Sequence, residues 1–218
     1  MSRPLIVTDC DEVLLHMVVP FRDWLDAEHA VHFEFQEQGF GDALRHKDSG
    51  ETLERELVWS LLTEFFDTQM DRQYPISGAL EALGRLSAIA DIVVLTNIRE
   101  RHHQLRIDQL ASHGVTFPVF WNEGGKGTKL SAIIADRQPS VTLFVDDLDH
   151  HHISVAKRAP DVWRLHMIGE PEIARHITPC PQAHARIDDW ATAERWIAER
   201  LAQGPADANF PAIDGATP

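Results

Sequence analysis

LIVTDCDEV, residues 5–13, starts as an apolar and β-branched run, Leu5 to Thr8, and ends with three carboxylates in four residues, Asp9, Asp11 and Glu12. The run predicts a buried strand. Such a strand gains nothing from an acidic end, because an unpaired buried carboxylate is costly. Something at the mouth of the sheet must therefore hold the charges. In extended chain, residues i and i+2 point the same way, roughly 6–7 Å apart. Asp9 and Asp11 are thus expected to face one site together, with Cys10 pointing away. Two carboxylates about 4 Å apart repel by about 4 kcal/mol at an effective dielectric near 20. A hard divalent cation such as Mg²⁺, which takes oxygen ligands, resolves that repulsion. An acidic turn that merely follows a strand would look the same, so the rest of the chain has to separate the two.

From Pro75 onward the pattern is regular. Ser77 opens a helix with Ala79, Leu83, Leu86 and Ala90 on one face, and Ile92–Thr96 is a buried-type strand. Arg99–His113 is helical and ends at Gly114; Val119–Trp121 is a strand; Lys129–Asp136 is a helix. Val141–Val145 is another buried strand, followed by helix at His152–Arg158, strand at Val162–Ile168 and helix at Ala193–Leu201. Strands without polar alternation, separated by helices, indicate a parallel sheet covered on both faces. Residues 15–74 break the rhythm. Phe21, Trp24, Leu25 and Glu28 fit one helix, and Val31, Phe33 and Phe35 alternate with polar residues as in a short strand. Gly39–Gly50 reads as loop, and Ser49 within it could cap a long helix carrying Leu53, Leu57, Leu61, Leu62, Phe65 and Phe66. The expected fold is therefore α/β. A Rossmann-like parallel sheet flanked by helices spans 1–14 and 75–203, with a mainly helical insertion at 15–74 after the first strand. Residues 204–218, rich in Gly, Pro, Ala and Asp, predict a disordered tail.

The formal net charge of −14 argues against nucleic acid and anionic membrane surfaces as general partners. A small anionic substrate remains compatible, because a metal and a few basic groups reverse the field in one cleft. Two cysteines, Cys10 and Cys180, suggest no disulfide framework and fit a reducing compartment. No leader pattern and no apolar run of membrane-spanning length is visible, so a cytoplasmic protein is expected.

Ligand sites of parallel sheets form beyond the carboxyl ends of the strands. Asp9 and Asp11 follow the first strand, Thr96 and Asn97 follow IVVL, and Asp146, Asp147 and Asp149 follow VTLFV. The loop GGKGTK holds Lys126 and Lys129, two of only four lysines. The set suits phosphoryl transfer through a carboxylate. One Asp acts as nucleophile and a second as acid, then base. A hydroxyl and a lysine hold the phosphoryl oxygens, and Mg²⁺ neutralises charge. His150, His151 and His152 could suggest zinc, but consecutive residues at a helix start diverge, so surface or supporting histidines are expected. Arg99, Arg101, His102, His103 and Arg106 read as a solvated helix face, with Arg99 able to reach an anion.

These motifs, in this order, resemble the haloacid dehalogenase-like (HAD) hydrolase superfamily. The match covers residues 4–14 and about 74–168, including YPISGALEALGRL before Thr96. The resemblance implies Asp9 as nucleophile and Asp11 as general acid/base, with the backbone carbonyl of Asp11 on the metal. It implies Thr96, Asn97 and Lys126 around the phosphate, Lys126 matching the KGxxL form in KGTKL. It implies Asp9, Asp11, Asp146 and Asp147 at Mg²⁺, with Asp147 as the main ligand of the acidic pair. The insertion becomes a cap over the active site. Two departures stand out. Glu12 and Val13 occupy positions where the family often has Gly and Thr. The acidic residue usual four places after the main Asp falls on His151, with Asp149 nearer, so the last ligand stays open among Asp146, Asp149 and His151.

The expected activity is a Mg²⁺-dependent phosphatase for a small phosphorylated metabolite. A phosphotransferase or mutase on the same aspartyl-phosphate, a receiver-type phospho-acceptor and a catalytically inactive binding module are the alternatives. Trp24, Phe33, Phe35, His46 and Trp59 either line the pocket or form the core of the cap.

Overall fold

The computed structural model describes residues 2–34 and 43–210. Its sheet is built from β1 (Leu5–Thr8), β4 (Asp91–Asn97), β5 (Val119–Asn122), β6 (Thr142–Asp146), β7 (Trp163–His166) and β8 (Ala185–Arg186). The order is β5-β4-β1-β6-β7-β8 and every pair is parallel. All four residues of β1 are buried, as its lack of polar alternation requires. Ile6, Ile92, Val94, Leu143 and Val145 pack on one face against Leu83, Leu110 and Ile197. These come from α3 (Ala79–Leu86), α4 (His103–Ser112) and α8 (Trp190–Gln203). Leu5, Val7, Val93, Leu95 and Phe144 pack on the other face against Leu130, Ile133 and Val155, from α5 (Gly127–Arg137) and α6 (Asp149–Arg158). The result is the α/β, Rossmann-like sheet flanked by helices that the sequence predicts.

Register sets what meets at the rim. Thr8 pairs with Val94 on one side and Val145 on the other. Asp9 therefore leaves the sheet level with Asp146 and one residue short of Thr96.

The segment between β1 and α3 contains α1 (Val18–Glu28), β2 (Val31–Phe33), β3 (Leu44–His46), α2 (Arg55–Thr68) and a 3-10 turn at Met70–Arg72. It has an apolar cluster of its own, with Phe21, Trp24, Leu25, Phe33, Leu61 and Phe65 joined from beyond β7 by Ile168 and by Ile173 of the short α7 (Pro171–Ala174). Trp24 and Phe33 are thus packing residues, whereas Trp59 is 54% exposed. The stretch read as a Gly39–Gly50 loop contains β3, antiparallel to β2. Phe35 and Gly39 lie outside the described residues. Ser49 does not cap the following helix, which starts at Arg55 behind Glu54. Thr52 bridges to Arg45, and Leu53 N–H donates to the Leu44 carbonyl at 2.9 Å, so residues 52 and 53 are committed to strand pairing.

The chain after α8 also differs from expectation. Residues 204–210 lie against the core: Trp163 Nε1 donates to the Gly204 carbonyl at 2.7 Å, Ala206 is buried, and Phe210 sits 4.1 Å from the His184 ring. An indole N–H at a partly buried strand needs an acceptor, and this segment supplies one. The rest of the tail, 211–218, lies outside the described residues. Among the described residues no helix is long and apolar enough to cross a membrane.

Candidate active site

Lys126, fully buried at the start of α5, is the hub. Its Nζ lies 2.7 Å from Asp9 Oδ1 and 2.6 Å from Asp146 Oδ2. Burial alone would strip the ammonium of its proton, but Asp146 and Asp9 outweigh it and hold the pKa above the ordinary lysine value. Lys129 instead places its ammonium 5.8 and 5.9 Å from the rings of Phe120 and Trp121. Of the two lysines in the loop, Lys126 is the one brought to the carboxylates.

Asp9 is held asymmetrically. Oδ1 accepts from Lys126 and from the Cys10 N–H at 2.7 Å, while Oδ2 has no donor among the described residues. Burial pushes the Asp9 carboxyl up to about 7; Lys126 opposes the shift, and Asp146 and Asp11 add to it. Asp146 is fully buried and accepts from Lys126 and, at 3.0 Å, from the Leu148 N–H. Asp147 is partly exposed, and its carboxyl is raised well above the usual range by burial and then by Asp146 and Asp9. Asp9, Asp146 and Asp147 each place a carboxylate oxygen within 4.8 Å of the other two. Among the described residues Lys126 is the one cation paired with them, so two negative charges stay uncompensated when all three are ionised. An all-oxygen donor set with that excess fits a hard divalent cation. Neither Asp149 nor His151 joins the group. Asp149 is exposed in the first turn of α6, and His151 is buried in that helix, both ring nitrogens without a hydrogen-bond partner among the described residues.

Thr96 is buried near the end of β4, and its Oγ1 has no hydrogen-bond partner among the described residues, so it can still donate to an anion at the rim. The Asn97 side chain is engaged. Nδ2 donates to the Gly124 carbonyl and Oδ1 accepts from Asn122, both at 2.8 Å, which ties the loops after β4 and β5.

Asp11 departs from expectation. Its carboxylate is not in the group around Lys126 but accepts from Arg106 and Gln73. The two-residue alternation fails because extended chain ends at Thr8. The backbone then winds about one acceptor, the Cys10 carbonyl, to which Leu14 and Leu15 donate at 2.7 and 2.9 Å. Arg106, read as part of a solvated face, is fully buried. Its spacing from Leu110, also buried on α4, is the sequence signal that places it inward.

Glu12 follows in the left-handed region, φ +57°. That conformation suits glycine, and it gives the physical reason for a glycine preference at this turn. The strain is offset by a tether: Glu12 Oε1 accepts from the Met17 and Val18 N–H groups at 2.8 and 2.7 Å, where α1 begins without a side-chain cap. Behind the acidic pair, His152 and His166 place Nε2 3.0 and 2.8 Å from the carbonyls of Asp146 and Asp147. The Cys180 N–H donates to His166 Nδ1, so Nε2 carries the hydrogen and donates to Asp147.

The glycines around Lys126 allow a close approach to α6. A Cβ on Gly127 would lie 2.2 Å from the Ser154 carbonyl oxygen, whereas one on Gly125 would meet mainly the Ser154 hydroxyl, at 2.6 Å. Gly127→Ala is expected to destabilise the protein by about 1–3 kcal/mol in urea unfolding. Removing the hydroxyl with Ser154→Ala should rescue Gly125→Ala but not Gly127→Ala. A Gly127→Ala protein as stable as the parent would show that this backbone contact is not tight.

No protein-family model matches the sequence, and no curated protein matches it either. Solved structures do. A HAD-family hydrolase from Deinococcus radiodurans, with bound phosphate and sodium, superposes with a TM-score of 0.64 at 12% identity, covering 93% of this chain and 98% of the other. A haloacid dehalogenase-like hydrolase from Streptococcus pneumoniae gives 0.61 at 11% identity over 88% and 97%. A protein from Haemophilus somnus, named a predicted phosphoglycolate phosphatase, gives 0.58 at 14% identity over 88% and 97%. With the parallel sheet order and an acidic rim around a buried lysine, these likenesses show that the chain has the fold of the haloacid dehalogenase-like hydrolases.

Proposed function

We propose that the protein is a divalent-cation-dependent phosphatase that hydrolyses a small phosphorylated metabolite through a phosphoaspartate on Asp9. The observation that carries this is the asymmetry of Asp9: one oxygen pinned by Lys126 and a backbone N–H, the other without a donor among the described residues. Oδ2 attacks phosphorus, and the bond from phosphorus to the leaving oxygen breaks, its electron pair staying with that oxygen. Asp11 supplies the proton the leaving oxygen takes up. In the second half, Asp11 takes a proton from water, whose oxygen attacks phosphorus, freeing phosphate and the Asp9 carboxylate. Lys126 and the Thr96 hydroxyl donate to the phosphoryl oxygens, with Asn97 shaping the adjoining loop. Asp9, Asp146, Asp147 and the backbone carbonyl of Asp11 would hold Mg²⁺, which supplies charge neutralisation between phosphoryl group and carboxylates. Residues 15–74 act as a cap over the rim, excluding water and selecting the substrate. Two free, buried cysteines fit a reducing, cytoplasmic setting.

The test is phosphate release from 4-nitrophenyl phosphate with Mg²⁺, after chelation, and after Mg²⁺ is restored. Turnover that disappears with the chelator and returns with the cation is expected. Undiminished turnover in chelator would rule out the cation, and phosphate recovered only on an added alcohol would make the protein a phosphotransferase.

A further inference from the structure

Asp11 is gripped from two sides. Arg106 Nη2 lies 2.9 Å from both Asp11 oxygens, and Gln73 Nε2 donates to Oδ1 at 2.6 Å. Arg106 belongs to α4 in the core, and its Nη1 rests 3.0 Å from Cys10 Sγ. Gln73, also buried, lies at the end of the insertion, two residues before Pro75 bridges back to Leu15. The insertion touches Arg106 as well: the guanidinium lies 5.8 Å from the Phe66 ring of α2. The next residue, Asp67, pairs with Arg101 and His102, both at 2.6 Å. A buried guanidinium is costly without acceptors for its N–H groups, and Asp11 supplies them.

We infer that Arg106 and Gln73 are positioning residues for Asp11, holding its carboxylate at the seam between core and insertion so that proton delivery to the leaving group depends on both. This rests on the proposed role of Asp11 as the acid. With one donor on each side of the seam, the aim of the carboxylate follows how the insertion sits on the core. Neither residue touches the reacting atoms; each acts through Asp11.

Substituted phenyl phosphates test this with no knowledge of the natural substrate. Nitrophenolate leaves without a proton, whereas unsubstituted phenolate benefits from one. The ratio kcat/KM reports steps up to phosphorylation of Asp9, so the series isolates the acid. Asp11→Asn should lower kcat/KM about 100-fold for phenyl phosphate and under about 5-fold for 4-nitrophenyl phosphate. Arg106→Gln and Gln73→Leu should steepen the series in the same sense, Arg106→Lys should restore part of it, and Arg106→Gln should add little to Asp11→Asn. If Arg106→Gln does not fold, Gln73→Leu carries the comparison. A steep Asp11→Asn series beside Arg106 and Gln73 variants that lose the same factor on every phosphate would overturn the clamp alone. A flat Asp11→Asn series would overturn the acid role, and the clamp's purpose with it.

Discussion

Asp9→Asn is expected to lower turnover of 4-nitrophenyl phosphate by at least about 10⁴-fold while leaving the fold intact. Asparagine keeps the shape and an oxygen that can accept from Lys126 and the Cys10 N–H. The amide nitrogen replaces Oδ2, the oxygen without a donor among the described residues. The stability side has a definite sign. Burial pushes the Asp9 carboxyl up to about 7, so its charged form is disfavoured in the folded chain. Removing that charge should leave the metal-free melting temperature unchanged or raised. Steady-state kinetics and a thermal melt on one preparation check both halves. Mass spectrometry adds a third readout, since the parent should carry a transient phosphoryl mass that the variant lacks. Near-parental turnover in a folded variant would end the case for Asp9 as nucleophile.

Lys126→Met should be the most destabilising single change at the site. Methionine fills much of the same buried space but leaves Asp9 and Asp146 facing each other without the ammonium that lies within 2.7 Å of both. Breaking a buried pair by removing one partner costs about 3–5 kcal/mol, because the orphaned charges stay buried. Activity should fall about 10²–10³-fold through the lost donor to the phosphoryl group. Urea unfolding without divalent cation reads the first effect, and excess Mg²⁺ should recover part of it by replacing the missing positive charge. Lys129→Met is the contrast, with an expected loss under about 1 kcal/mol, since that ammonium only borders the rings of Phe120 and Trp121. Equal stabilities for the two variants would mean that Lys126 is not the counter-charge of the cluster.

The difference between what was and was not legible in the sequence is one of range. β1, β4 and β6 show as apolar runs because both sheet faces are covered, and their pattern needs no knowledge of partners. The acidic groups and Lys126 could be placed because each follows such a run or opens the next helix. Asp11 stands outside the group of Asp9, Asp146 and Asp147 because a period of two holds only while the chain is extended, and the turn about the Cys10 carbonyl ends that at Thr8. Arg106 was hidden because its partner is 95 residues away, and a guanidinium on a helix looks solvated until its carboxylate is found. β3 is three residues long, and its alternation is too brief to separate from loop. Residues 204–210 carry the composition of a tail, and they settle through partners far away in sequence: the Trp163 indole N–H on the Gly204 carbonyl, the Asp161 carbonyl on the Ala206 N–H, and the His184 ring against Phe210.

The Glu12 tether has a corollary for recombination. The carboxylate that quiets the first N–H groups of α1 belongs to the turn after β1, so the turn and that helix form one cassette. A chimera with a crossover between residues 12 and 18 would pair a foreign helix start with Glu12, or strand α1 behind a residue that has no acceptor. Joining the graft ahead of Leu5 and beyond Glu28 moves both halves together and preserves the anchorage.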